Sequence, residues 1–211
     1  MTQCRLYLIT PETFELDSFL PQLESAFAGG DVAVLQLRMK AQPDQEVVAA
    51  AAKILPICRE HNVGFILNDR AHLVAETGAD GVHVGEDDMS AAEARKIVGE
   101  GKSVGVSCYA SKHRAYEAGE QGADYVAFGA FYDTQTKPPR GRPTPELLEF
   151  WSQYTTLPCV AIGGIKPHNA APLVKAGADY IAVVTGVWDH PDGPEAAVKE
   201  YGKVLQEVSE K

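Results

Sequence analysis

The segment Gly122-Ala123-Asp124-Tyr125-Val126-Ala127-Phe128 contains a turn signal followed directly by a short apolar run. The same Gly-Ala-Asp triplet occurs at residues 78–80 and 177–179, and an apolar run follows it each time. Glycine suits the position just after a helix, and aspartate can cap the turn before a strand. Three copies of one helix-to-strand joint predict repeated βα units, although turn chemistry common to α/β proteins would also produce such triplets.

Short runs rich in Val, Ile and aromatic residues recur along the whole chain, and each is predicted to be a strand buried on both faces. They span residues 6–9, 34–37, 63–67, 81–84, 103–106, 125–128, 159–162 and 180–184. Stretches with helical spacing lie between them, among them residues 45–60, 90–98 and 111–121. This alternation predicts a parallel sheet, either a closed barrel or an open doubly wound sheet.

The first strand decides between these two architectures. No Gly-X-Gly-X-X-Gly motif follows residues 6–9, where an open dinucleotide-binding sheet would need it. We therefore predict a single (β/α)8 TIM barrel over residues 1–211. Its active site is expected at the C-terminal ends of the strands.

Composition and charge narrow the class of protein. Hydrophobic residues make up 45% of the 211 residues and charged residues 23%, which is typical of a globular chain. The net charge of −10 argues against nucleic-acid and membrane partners, but a few local cations can still bind a phosphorylated small molecule. The four cysteines are far apart, which indicates buried free thiols in a reducing compartment. We expect a cytoplasmic protein, and the sequence is compatible with a homo-oligomer.

Polar and apolar residues alternate in Val34-Leu35-Gln36-Leu37-Arg38-Met39-Lys40. Because strand side chains alternate between faces, Gln36, Arg38 and Lys40 share one side and the apolar residues share the other. In a barrel the polar side faces the interior, where two cations and an amide suit an anionic ligand with hydrogen-bonding ring edges. An exposed edge strand with solvated charges would show the same pattern.

Carboxylates follow the third and fourth strands. Asn68 and Asp69 end the third strand, and Glu86-Asp87-Asp88 follows the fourth. Because the loops after neighbouring strands meet at the barrel mouth, Asp69 and one of the later carboxylates can share a cation, for which Mg²⁺ is favoured. Asn68 and Asp69 could instead be helix N-caps. His83 is interpreted as an interior barrel side chain, because no second His or Cys lies at metal-ligand spacing from it.

Two further segments predict ligand contacts. Ser107 follows the fifth strand, where it either binds a ligand or caps the next helix. The loop of residues 129–143 contains Thr134, Thr136 and Lys137 together with two arginines. In so acidic a chain we interpret this loop as a phosphate-binding flap rather than an incidentally basic surface loop.

The last two strands end in small residues. Gly163-Gly164 follows the seventh strand, and Val184-Thr185-Gly186 follows the eighth. Barrels commonly bind phosphate there with backbone N–H groups, although either glycine segment could serve only a tight turn. The two segments together favour a phosphate site.

Taken together, these motifs resemble the thiamine phosphate synthase family of (β/α)8 barrels, over residues 6 to about 204. The motifs are Gln36-Leu37-Arg38-Met39-Lys40, Asn68-Asp69-Arg70, Gly81-Val82-His83-Val84-Gly85, Gly105-Val106-Ser107, Thr134-Gln135-Thr136-Lys137 and Ile162-Gly163-Gly164-Ile165. The resemblance implies a transferase that joins 4-amino-2-methyl-5-hydroxymethylpyrimidine diphosphate to a thiazole monophosphate, in its plain or carboxylate form. The products are thiamine phosphate and pyrophosphate.

The resemblance also implies roles for individual residues. The pyrimidine diphosphate is expected at Gln36, Arg38, Lys40, Asn68, Ser107 and Lys137, and the thiazole phosphate at Thr134, Thr136, Gly164, Val184 and Thr185. Arg38, Lys40, Ser107 and Lys137 would form the catalytic group, and Asp69 and Asp88 would bind Mg²⁺.

The chain departs from the usual residues of this family at four positions, Glu86, Tyr109, Ala130 and Thr185. Two other functions therefore stay open, a thiazole tautomerase-like enzyme and a non-catalytic barrel that binds a phosphorylated ligand. The tautomerases generally have His at the position of Ala130 and lack the metal carboxylates. Because this chain has Ala130, Asp69 and Asp88, the synthase is favoured.

Overall fold

Eight parallel strands close into a barrel in chain order, and β8 pairs back onto β1. The structure is a computed structural model that describes residues 3–85, 88–134 and 140–209. The strands are β1 Arg5–Ile9, β2 Val32–Leu37, β3 Gly64–Asn68, β4 Gly81–Val84, β5 Ser103–Tyr109, β6 Tyr125–Phe128, β7 Cys159–Ile162 and β8 Tyr180–Val183. The predicted TIM barrel is confirmed. Because β2 pairs with both β1 and β3, the edge-strand alternative for its charged residues is wrong.

Helices cover the outside of the barrel between the strands. They are α1 Leu16–Ala28, α2 Asp44–Glu60, α3 Val74–Thr77 after a 3-10 turn at Ala71–Leu73, α4 Ala91–Val98, α5 Lys112–Glu120, α6 Pro145–Tyr154, α7 Pro167–Lys175, α8 Thr185–Trp188 and α9 Gly193–Ser209. Ser90 and Ser111 are N-caps, so α4 and α5 begin one residue later than predicted. Within the described ranges, every helix is too short or too polar to cross a membrane.

The three Gly-Ala-Asp joints share one geometry, which confirms the predicted repeat. Gly78, Gly122 and Gly177 have φ of +73°, +91° and +95°, values that favour glycine. The sequence suggested that each aspartate caps its own turn, and this is wrong. Each carboxylate instead accepts a hydrogen bond from a backbone N–H near the start of the preceding strand. These bonds join Asp80 to Phe65 (2.8 Å), Asp124 to Val104 (2.7 Å) and Asp179 to Cys159 (2.8 Å). The repeat therefore ties adjacent strands together.

An apolar layer lies on each face of the barrel strands. Inside the barrel, Tyr7, Ile9, Ala127, Val160 and Ala182 pack together. Between the barrel and the helices lies a larger core to which Leu35, Leu37 and the four cysteines belong. Burial raises the pKa of each cysteine thiol to about 12, so the thiols stay protonated at neutral pH. This agrees with the expectation of buried free thiols.

Candidate active site

A cavity of about 180 Å³ opens at the C-terminal end of the barrel. Ten of the predicted site residues line it, namely Gln36, Arg38, Lys40, Asn68, Asp69, Ser107, Thr134, Gly164, Val184 and Thr185. Asp88 lies at its rim, where its carboxylate is 3.9 Å from the Lys40 ammonium. Thr136 and Lys137 lie outside the described residues, as do Glu86 and Asp87.

The end of β2 supplies a row of polar side chains on the cavity side. Gln36, Arg38 and Lys40 all line the cavity, whereas Leu35 and Leu37 are fully buried in the outer core, as their alternation predicts. The Arg38 guanidinium donates to Glu12 Oε2 at 2.9 Å, and its backbone N–H donates to Thr10 Oγ1 at 3.0 Å. Both partners follow β1, so the neighbouring strand holds Arg38 in place.

Two carboxylates and one ammonium meet at the ends of β2, β3 and β4. Lys40 Nζ lies 2.6 Å from Asp69 Oδ2, and the Gly85 backbone N–H donates to Asp88 Oδ2 at 3.1 Å. Burial, followed by the contact with the Asp69 carboxyl, raises the pKa of Asp88 above its ordinary value. Burial and the neighbouring Asp69 carboxyl together disfavour the charged form of Asp88 more than Lys40 favours it.

The chemistry of this donor set fits Mg²⁺. Asp69 and Asp88 offer hard oxygen atoms, and Mg²⁺ usually takes one or two protein carboxylates with water and phosphate completing its shell. Among the described residues, no group of three or more His, Cys, Asp and Glu side chains could hold a metal ion, so this pair would need water and phosphate oxygens to complete a coordination shell. Asn68 donates to Asp69 Oδ2 at 2.5 Å, which orients that carboxylate.

The structure removes the N-cap alternative for Asn68 and Asp69. Asp69 has a left-handed backbone with φ of +62°, and its N–H donates to the His83 carbonyl of β4 at 2.8 Å. The 3-10 turn that follows begins after Arg70 with no side-chain cap. Asn68 and Asp69 therefore face the cavity instead of serving a helix start.

Below the mouth, side chains from five strands form a hydrogen-bonded chain inside the barrel. Gln36 Nε2 donates to the Tyr7 hydroxyl (2.8 Å), which lies 3.0 Å from the Tyr125 hydroxyl. Tyr125 lies 3.2 Å from His83 Nδ1, and His83 Nε2 lies 2.9 Å from Ser107 Oγ. Ser107 is thus part of β5 and its cavity wall, while Ser111 caps the next helix. His83 is an interior side chain, as predicted.

Glycines shape the part of the cavity at the end of β7, called here the glycine end. Gly163 and Gly164 have φ of +102° and +64°, and a Cβ on Gly164 would lie 2.3 Å from the Asp133 carbonyl oxygen. The pair therefore makes a tight turn against the loop after β6 and also lines the cavity with its backbone. Val184 and Thr185 line the cavity at the start of α8.

Sequence reasoning missed several residues that line the cavity or contact its lining. Lys166 Nζ donates to Thr185 Oγ1 at 3.2 Å, which brings a cation to the glycine end of the cavity. Its position two residues after Gly163-Gly164 was an available signal. Arg140 lines the cavity and lies over the Tyr109 ring, 5.8 Å from its centroid. Glu12 and Tyr125 had no motif to mark them.

Fold and site together define a (β/α)8 barrel that can bind two anionic groups in one cavity. The two candidate anion sites are the cations after β2 and the glycine and hydroxyl residues after β7 and β8, all of which line the cavity. The carboxylate pair lies next to the first of these sites.

Comparison with known proteins agrees with this class. The family profile described as thiamine monophosphate synthase matches residues 6–187. A thiamine-phosphate synthase of Rhodospirillum centenum is 51% identical over 206 residues, covering 98% of this chain and 100% of the relative. A thiamine-phosphate synthase of Hyphomonas neptunium is 47% identical over 210 residues, covering 97% of this chain and 95% of the relative. The solved thiamine phosphate pyrophosphorylase of Pyrococcus furiosus is 31% identical with a TM-score of 0.84, and 98% of each chain is covered.

The chain belongs to the thiamine monophosphate synthase family. Members of this family are transferases that make thiamine phosphate.

Proposed function

We propose that this protein joins the pyrimidine diphosphate to a thiazole monophosphate and releases pyrophosphate. The observation that supports the proposal is the shared cavity, in which the cations after β2 and the glycine backbone after β7 and β8 face one space. Such a cavity suits two phosphorylated substrates whose uncharged rings meet between the anchors.

The reaction needs no protein nucleophile. The carbon–oxygen bond between the pyrimidine methylene and the diphosphate breaks, and that benzylic-type carbon can hold positive charge. The thiazole nitrogen supplies the electron pair of the new carbon–nitrogen bond, and the diphosphate leaves with the electrons of the broken one. The protein must therefore neutralise the leaving diphosphate and align the two rings.

We assign neutralisation of the diphosphate to Arg38 and Lys40, with Ser107 and Asn68 donating hydrogen bonds from the adjoining wall. Arg38 and Lys40 are already fixed in the cavity by Glu12 and Asp69. Arg and Lys stabilise a developing oxyanion without reorganising if they are held in position beforehand. Lys137 and Thr136 keep their proposed roles toward the two phosphates, although they lie outside the described residues.

Asp69 and Asp88 are the residues proposed to hold Mg²⁺. When bound, the ion supplies electrostatic stabilisation of the diphosphate. The initial rate measured against Mg²⁺ concentration tests the assignment. Asp69→Asn and Asp88→Asn should each raise the Mg²⁺ needed for half-maximal rate by about tenfold or more. Asp87→Asn is the matched control, and a larger defect in this variant than in Asp88→Asn would contradict the assignment.

A coupled assay of pyrophosphate release with both substrates tests the function itself. Pyrophosphate should appear only when both substrates and Mg²⁺ are present, in a 1:1 ratio to thiamine phosphate. A tautomerase would alter the thiazole without releasing pyrophosphate, and a non-catalytic barrel would bind the substrates without turnover. Either outcome would overturn the proposal.

A further inference from the structure

The hydrogen-bonded chain inside the barrel has a direction that its donors and acceptors determine. Gln36 and Tyr7 are each 3% exposed and His83 is 8% exposed, so water does not readily replace these partners. Burial raises the pKa of Tyr7 to about 12 and that of Tyr125 well above its ordinary value. Both tyrosines therefore keep one hydroxyl proton each at neutral pH.

The Tyr7 hydroxyl accepts from the Gln36 amide, and within the described part of the chain its other hydrogen-bond partner is Tyr125. Tyr7 must donate its proton to Tyr125, because the opposite arrangement would leave a buried hydroxyl proton without an acceptor. Tyr125 then donates to His83 Nδ1. His83 must therefore carry its ring proton on Nε2, from which it donates to Ser107 Oγ.

We propose that Tyr7, Tyr125 and His83 form a one-way hydrogen-bond relay that positions the Ser107 hydroxyl as a donor toward the ligand. Since His83 donates to Ser107, the Ser107 proton is not used by the histidine and can point into the cavity. Diphosphate oxygens only accept hydrogen bonds, so a fixed donor suits them. This role toward diphosphate rests on the proposed function, whereas the direction of the relay does not.

Packing around Tyr125 supports a dedicated position for this ring. It lies between the rings of Tyr7 and His83, with centroids 6.1 Å and 5.6 Å away. It also crosses β5 at Gly105, where a Cβ would lie 2.0 Å from Tyr125 Cζ. Glycine at this point of β5 is thus required for the tyrosine to reach both partners. Tyr125 is a positioning residue, because it acts on Ser107 through His83.

Nitrogen NMR of the histidine-labelled protein without substrates tests the direction of the relay. The His83 signals are identified by their loss in His83→Gln, or by backbone assignment if that variant does not fold. The expected spectrum shows His83 as the Nε2–H tautomer. Tyr125→Phe should populate both tautomers, whereas Tyr201→Phe, which removes a buried hydroxyl bonded to the Ile165 carbonyl, should not. A wild-type Nδ1–H tautomer, or equal spectra for wild type and Tyr125→Phe, would overturn the relay.

A double-mutant cycle tests the action on Ser107. Tyr125→Phe should lower kcat/KM for the pyrimidine diphosphate by about three- to tenfold, the value of one hydrogen bond. In the Ser107→Ala background the same change should have no further effect. If Ser107→Ala is too slow to assay, the cycle is measured on the binding of inorganic pyrophosphate. Equal losses in both backgrounds would refute the role of Tyr125 toward Ser107.

The two measurements separate the inference from the proposed function. Failure of the wild-type protein to release pyrophosphate would overturn the function, and the NMR spectra would still decide the direction of the relay.

Discussion

Replacing Arg38 by methionine removes a cation that lines the cavity while keeping most of its side-chain volume. The Arg38 side chain is 12% exposed and its guanidinium lies 2.9 Å from Glu12, whose side chain is 42% exposed. Because Glu12 can be hydrated when its partner is lost, the fold should tolerate the change. We expect a loss of less than about 1 kcal/mol in the free energy of unfolding.

The effect on catalysis should be much larger than the effect on stability. A hydrogen bond to a charged group contributes about 1.5–3 kcal/mol, and about 1.4 kcal/mol corresponds to a factor of ten in rate. Losing one such contact to the leaving diphosphate therefore predicts a fall in kcat/KM of roughly 10- to 150-fold. A second lost bond would increase the defect.

The assay measures pyrophosphate release at saturating thiazole phosphate, with urea unfolding of the same preparations. Arg5→Met is the matched control, because Arg5 pairs with Asp31 at the start of β1 and does not line the cavity. Glu12→Gln keeps a side-chain oxygen that can hold Arg38 in place but removes the competing negative charge, so kcat/KM should be unchanged or higher. An unchanged kcat/KM in Arg38→Met, or an equal loss in Arg5→Met, would refute the role of Arg38.

Three further substitutions test the strand faces, the glycine end of the cavity and the repeated joint. Leu37→Asp places a charge in the outer core and should abolish cooperative unfolding seen by circular dichroism; a near-wild-type urea midpoint would contradict the face assignment. Lys166→Met should raise KM for the thiazole phosphate about five- to tenfold with kcat nearly unchanged. The control Lys175→Met changes an exposed lysine and should leave KM as in the wild type. A wild-type KM in Lys166→Met would show that Lys166 is not part of the site. Burial alone would raise the pKa of Asp80, but the hydrogen bonds from Arg59 and from a backbone N–H outweigh burial and lower the pKa. The folded protein therefore gains stability from this carboxylate above its unfolded pKa of about 3.9. That stability is lost as the pH falls through the lower pKa of the folded state. Because the Arg59–Asp80 ion pair is screened by solvent, Asp80→Asn should cost about 1 kcal/mol in urea unfolding at pH 7, and progressively less as pH falls below about 4. A pH-independent difference would contradict this.

Local patterns predicted the fold because they are consequences of strand geometry and turn chemistry. The alternation from Gln36 to Lys40 separates two faces, whatever the strand pairs with. The Gly-Ala-Asp triplets mark helix ends, since glycine there adopts positive φ. The bonding partners of the aspartates could not be predicted in the same way, because they belong to the preceding strand of the closed barrel.

The relay and the partner of Arg38 could not be predicted because they depend on contacts between distant parts of the chain. Tyr7 and Tyr125 are 118 positions apart, and His83 is 42 positions from Tyr125. Only barrel closure brings β1, β4 and β6 around one interior. Glu12 likewise meets Arg38 across two strand ends, so neither residue's neighbours in the sequence reveal the pair.

The ion pairs at the mouth give the proposed selection of a diphosphate by this acidic chain a physical basis. Arg38 and Lys40 are each within 3 Å of a carboxylate, Glu12 and Asp69 respectively, which fixes both cations before a ligand arrives. Pre-organisation lowers the entropy cost of binding, but the ligand must then compete with the resident carboxylates. A singly charged anion that binds Arg38 or Lys40 only replaces the charge interaction that the cation already makes with Glu12 or Asp69. A diphosphate, with several charged oxygens on adjacent phosphates, can engage both cations at once, so the paired cations favour a polyanion over a simple carboxylate.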